Sequence, residues 1–253
     1  MNTPAPDIRA PRGPVRWVVG ATVLAIAAGS WFATHRELPH YLPEDTSAFV
    51  TSFLPPAPDG SPQTRQELDQ LLELQRNRTA ESIKAAQDDS HKDVSRFYEA
   101  LGFDAAHPPD LPHLESLTDA VEKEVGRYVN DAKLHFARER PYVREPRLKP
   151  CIGGVDDHNS FPSGHATYGY VIVYLLIEMV PEKRSELLRR AGTFAQARAT
   201  CGVHYPSDLL AGKQAGAWLS QRILTNPDYL RAAEDARHEL RAALKLPAVP
   251  PPS

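Results

Sequence analysis

Residues 161–180 read FPSGHATYGYVIVYLLIEMV, the most apolar stretch between the chain's Pro-rich segment and its C-terminus. From Tyr168 to Val180 the run is apolar nearly all round a helical projection, so a helix here has almost no face to give to water and must sit centrally, wrapped by others. Pro181 marks its end. The flanking segments carry the amphipathic period that wrapping needs. LESLTDAVEKEVGRYVNDAKLHFARER, residues 114–140, repeats apolar residues at Leu114, Leu117, Val121, Val125 and Tyr128, with Pro141 as its stop. TRQELDQLLELQRNRTAESIKAAQ, residues 64–87, opens with Thr64 and Glu67 at capping-box spacing and sets Leu68, Leu71, Leu72 and Ile83 along one face. Further helices are predicted over 182–200, 207–225 and 227–244. With no strand-period segment and no internal repeat, the sequence predicts an all-α fold, a compact helical bundle.

The chain has 253 residues and a net charge of −3, with 32 acids against 29 bases. That suits one domain with its own core and unstructured ends, and without a basic face or a Lys/Arg run it argues against a nucleic-acid polymer as partner. Residues 1–33 join Arg9, Arg12 and Arg16 to an uncharged run from Trp17, the layout of a secretory signal peptide. Small residues at Ala25/Ala27 and Ala28/Ser30 suit cleavage; the alternative is an uncleaved N-terminal anchor, the one expected tie to a membrane. Either way the chain is expected to be exported, periplasmic or secreted. A Pro-rich extended segment is predicted over 34–62, the helical domain over 63–245 and a disordered tail over 246–253. The two cysteines, Cys151 and Cys201, are predicted to pair in an oxidising compartment, two buried thiols being the alternative.

Three polar segments interrupt this apolar pattern. Lys133 and Arg140 stand seven residues apart, two helical turns, which would aim both from one helix face. Ser163 is a candidate N-cap, and Gly164 would let a ligand approach a helix N-terminus, where unpaired N–H groups and a partial positive charge favour an anion. His165 would stand at its mouth. In ARATCGVHYPSD, Arg198 ends a helix, Gly202 suits the turn, and Asp208 lies four residues beyond His204. A carboxylate beside an imidazole holds one nitrogen as N–H and leaves the other with a lone pair, which makes a nucleophile. Taken singly, each segment also reads as a charged surface, a cap or a structural turn.

Together they form K-x6-RP at Lys133 to Arg140 and Pro141, PSGH at Pro162 to His165, and R-x5-H-x3-D at Arg198, His204 and Asp208. Ten fixed positions at about one in twenty each put coincidence out of reach. The chain resembles the type 2 phosphatidic acid phosphatase (PAP2) superfamily, in particular the class A bacterial non-specific acid phosphatases, over roughly residues 40 to 230. One departure stands at Ala197, where the family has a serine, which questions that side chain's supporting hydrogen bond. The resemblance implies a metal-independent acid phosphatase, with no cofactor, hydrolysing small phosphomonoesters of broad range through a phosphohistidine. In that scheme His204 is the nucleophile, Asp208 orients it and His165 is the acid and base. Lys133, Arg140, Ser163, Gly164 and Arg198 would hold the phosphate. Class A relatives often associate, so a homo-oligomer is an expectation too. The remaining histidines show no i, i+4 metal pair; they read as surface or packing residues, with His158 as a weak candidate for the pocket. The rival readings are a lipid phosphate or diphosphate phosphatase, a vanadate-dependent haloperoxidase, and a non-catalytic phosphate-binding protein.

Overall fold

A computed structural model describes residues 40–153 and 157–248. The leader or anchor expected over 1–33 lies outside the described residues, and so does the tail predicted over 246–253 except for its first three residues, which are ordered rather than disordered: the Leu246 N–H donates to the Arg241 carbonyl and the Pro247 carbonyl accepts from Arg241 Nε. The fold is all-α as expected, without a strand among the described residues. Its helices are α1 (Ser47–Val50), α2 (Pro62–Asn77), α3 (Ala80–Asp88), α4 (Tyr98–Leu101), α5 (Pro112–Phe136), α6 (Pro141–Arg144), α7 (Gly164–Met179), α8 (Arg184–Thr200), α9 (Pro206–Ile223) and α10 (Pro227–Ala243). None is long and apolar enough to cross a membrane.

α7 occupies the centre that its sequence demands. Every residue from Ala166 to Val173 is buried, each large aliphatic there contributing about 1.5–3 kcal/mol of transfer free energy. α8 and α9 pack against it on two sides, and α5 closes a third. The α7–α9 contact is close because α9 offers glycine where the backbones meet. A Cβ at Gly216 would fall 2.6 Å from Tyr170 Cβ, and one at Gly212 would fall 2.8 Å from the Ser163 carbonyl oxygen.

The helix boundaries differ from the sequence expectations at four places. The helix predicted over 64–87 is two: Arg78 is extended, and Thr79 starts α3 with a capping box to Ser82. α2 also begins earlier than Thr64, because Ser61 caps it by accepting from the Thr64 N–H while Pro62 fills the first helical position, where no N–H is needed. Glu67 is thereby turned inward rather than into a capping box. Within the segment predicted as extended, Ser47–Val50 forms one helical turn that buries Phe49 against Tyr128 and Trp218. Lastly, α5 stops at Phe136, not at Pro141: Ala137 adopts φ 45°, and its N–H closes onto the Lys133 carbonyl. Lys133 is therefore helical and Arg140 is not; Arg140 caps α6.

Candidate active site

The break at Ala137 does not separate the first pair of cations; it redirects the second. Lys133, in the last turn of α5, donates to the Asn159 carbonyl at 2.8 Å. Arg140 donates through Nη1 to the Val203 carbonyl at 2.8 Å and to His204 Nε2 at 2.7 Å. Arg198 comes from the carbonyl end of α8, where a cation is favoured. It is 2% exposed, yet its Nε and Nη1 are buried without a hydrogen-bond partner among the described residues. Buried donors left unpaired are costly, and a site that fills transiently with an acceptor is one place where such donors occur.

The N-terminus of α7 faces the same space. Ser163 is the cap, its Oγ accepting from the Ala166 N–H, and its own N–H is held by the Asp208 carbonyl at 3.0 Å. The first N–H groups of the helix have no intrahelical acceptor and carry the positive end of its dipole. His165 Nε2 lies 2.8 Å from the Ser90 carbonyl. A carbonyl only accepts, so Nε2 carries the hydrogen and Nδ1 keeps the lone pair.

His204 stands in the turn between α8 and α9. Gly202 takes φ 69°, and Cys201 is bonded to Cys151 with Cα atoms 4.7 Å apart, so the expected disulfide is present beside the turn. Asp208, in the first turn of α9, is fully buried and accepts from four groups. Oδ2 takes the Ser160 hydroxyl at 2.6 Å, the Tyr205 N–H at 2.9 Å and His204 Nδ1 at 3.3 Å, and Oδ1 takes Arg138 Nη1 at 2.6 Å. The tautomer follows: Nδ1 donates to the carboxylate, and Nε2 presents its lone pair toward Arg140, which has no acceptor to offer.

Burial and crowded positive charge set the ionisation. Burial, then Arg140 and the other cations, hold His204 well below the usual imidazole range. His165 is lowered to about 3 by burial and then by Arg198. Lys133 is lowered to about 7 by burial and then by Arg140, and Arg198 to about 10 by the same two causes. Each of these groups would be relieved by an anion among them.

Lys133, Arg140, Gly164, His165, Arg198 and His204 all line one open cleft of about 900 Å³, while Ser163 and Asp208 are buried behind its wall. His158 is not among the lining residues; its side chain is exposed and 3.8 Å from Glu139. Ala197 packs with Ala86 and Cys201, so apolar contact fills the place of a serine.

Two charged residues taken from sequence for surface or cap prove to be buried behind the site. Arg138 is 5% exposed and stacks on the Tyr205 ring at 3.8 Å. Its Nη1 binds Asp208 and Ser207 Oγ, and its Nη2 reaches Glu67 Oε2 at 3.1 Å. Glu67 Oε1 in turn accepts the Ser207 N–H at 2.7 Å. The chain Glu67–Arg138–Asp208–His204 thus runs from α2 to the cleft. Only the pair of arginines flanking Glu139 could have hinted at it.

A helical bundle that gathers two histidines, three cations and a helix N-terminus round a cleft defines a phosphate-handling enzyme. Residues 124–230 match the PAP2 superfamily. It is homologous to the "Non-specific acid phosphatase" of Salmonella typhimurium, 29% identical over 215 residues that cover 80% of this chain and 84% of the relative. The enzyme of that name from Providencia stuartii is 26% identical over 226 residues, 85% of this chain and 90% of the relative. A "Lipid A 1-phosphatase" of Rhizobium johnstonii is 38% identical over 104 residues, 41% of this chain and 39% of the relative. The protein is a phosphatase.

Proposed function

We propose that the protein is a metal-independent acid phosphatase, exported to the periplasm or beyond, that hydrolyses small phosphomonoesters of broad range through a phosphohistidine on His204. The observation that carries this reading is the buried Arg198 guanidinium with two unpartnered nitrogens, set beside a nucleophile-ready imidazole. In transfer, a phosphoryl group spreads charge over three equatorial oxygens, and fixed donors round that equator lower the barrier. Arg198, Arg140 and Lys133 supply the positive charge, and the N-terminal N–H groups of α7 supply further donors.

The steps follow from the tautomers. His204 Nε2 forms the N–P bond as the P–O bond to the alcohol breaks, and Asp208 takes up the positive charge that develops on the ring. His165, protonated at Nδ1, gives that proton to the leaving alkoxide. The neutral His165 then accepts a proton from water as the water oxygen attacks phosphorus, releasing phosphate and His204. His165 is neutral in the empty site, so the bound dianion itself must raise its affinity for the proton, which binds substrate and proton together.

Hydrolysis of p-nitrophenyl phosphate in EDTA, across pH 4 to 9, tests the reading. The expected result is activity on the acid to neutral side, with turnover in His204→Ala lower by about 10⁴-fold. Loss of wild-type activity in EDTA, or an active His204→Ala, would sink it. Similarity to a lipid A 1-phosphatase over 104 residues supports a second reading, a lipid phosphate substrate, which the same assay on dispersed lipid phosphate addresses.

A further inference from the structure

The cleft is far larger than a phosphoryl group needs, and its outer part has a composition of its own. Beyond Lys133, one face of α5 lines it with Asn130, Gly126, Arg127 and Lys123, and Lys92 faces them from the loop after α3. A Cβ at Gly126 would touch nothing, so the wall there is open space. Glu122, the acid among the lining residues, is ion-paired with Lys92. Arg127 uses its nitrogens on the Glu44 and Pro43 carbonyls at 2.6 and 3.0 Å, which fixes its position; its carboxylate neighbour, Glu124 at 3.9 Å, is buried outside the cleft lining and shared with the Tyr41 and Leu42 N–H groups. Lys123 is exposed and makes no hydrogen bond or ion pair among the described residues. Three cations against one acid therefore line the outer cleft.

Resting on the phosphatase reading above, we propose that this outer wall is a second anion subsite, which selects substrates whose leaving group carries a further phosphate. The helix rise places Lys123 about 15 Å along α5 from Lys133. That span exceeds what the single bridging oxygen of a diphosphate provides, and it suits two phosphates held apart by a carbon skeleton. The substrate class is the small bisphosphate, sugar bisphosphates included. While the reacting phosphate engages Arg198, Arg140 and Lys133, the distal one meets Lys123, Arg127 and Lys92.

The test compares kcat/KM for fructose 1,6-bisphosphate with that for fructose 6-phosphate, in the wild type, in Lys123→Glu and in Arg76→Glu. The last makes the same charge change on an exposed part of α2 that does not line the cleft. The wild type should favour the bisphosphate by about tenfold, well beyond the factor of two for having two esters, and the preference should fade from about 0.05 to about 0.5 M salt. Lys123→Glu should bring the ratio down by at least about fivefold, and Arg76→Glu should leave it in place. A wild-type ratio near two, or a ratio that both variants lower alike, would overturn the subsite. Activity on p-nitrophenyl phosphate, which has no distal anion, reads the phosphoryl cradle alone; its absence would strike the phosphatase reading instead.

Discussion

The two ends of α7 are held by opposite physics. Its C-terminal body, from Tyr170 onward, is apolar side chains against α8 and α9, fixed by shape and by the closeness that Gly216 permits. Its N-terminal end adjoins buried charges, Asp208 with Arg138 and Arg138 with Glu67. Shape tolerates small losses gradually, because each contact is weak and many share the load. Charge buried in pairs does not, because removing one partner strands the other. Stability and activity are therefore coupled at the charged end and separable at the apolar one.

Arg138→Met breaks the charged end and should have the largest effect. Two buried carboxylates lose their cation, at about 3–5 kcal/mol of stability in denaturant unfolding. Pairing it with Glu67→Leu separates the two roles: the second change removes one stranded charge and should recover stability, whereas turnover stays low because Asp208 has lost the contact that fixes its position. Recovery of turnover in the double variant would show that Arg138 serves only to balance charge.

Gly216→Ala breaks the apolar end, where a Cβ would lie 2.6 Å from Tyr170 Cβ and 3.1 Å from the Thr167 carbonyl. Overpacking there should cost about 1–3 kcal/mol in thermal unfolding, with kcat per folded molecule kept. A parallel fall in kcat would mean that the two ends act as one body.

Acid should weaken the charged end through its two histidines. The folded-state pKa values of His165 and His204 lie below the ordinary 6.5. The unfolded chain therefore binds their protons first, and stability falls as pH drops through about 6.5 toward about 3. Added phosphate should offset the loss; a melting temperature indifferent to phosphate at pH 5 would contradict it. The smallest effect concerns Lys133, held at about 7. Its charge is lost as pH rises through that value, so substrate binding should weaken above neutrality. Lys133→Arg keeps the charge and should carry the alkaline limb of kcat/KM up by about one pH unit or more, a shift read from the pH profile whatever the absolute rate.

How much of this was legible depended on whether a residue obeyed its commonest role. α7 could be placed because an apolar helix has one destination, and Ser163 as its cap because a serine ahead of a helix has few others. The spacing of Arg198, His204 and Asp208 translated directly into a helix end, a turn and a helix start. The end of α5 could not be read, since Ala137 adopts a left-handed conformation that alanine seldom takes. Nor could Arg138 with Glu67, which lie 71 residues apart and are of types that normally face water. Ser90 supplies only its carbonyl to His165, an atom every residue possesses.

That last contact has a consequence for modularity. The stretch that matches the superfamily pattern begins at residue 124, within the longer similarity to the acid phosphatases, and Glu67 and Ser90 lie upstream of it. Excised at residue 124, the remainder would keep every motif residue while Arg138 lost one of its two carboxylates and His165 its acceptor. The recognisable segment is thus a portion of the machine rather than a transplantable part, and a graft or minimal version has to start ahead of α2.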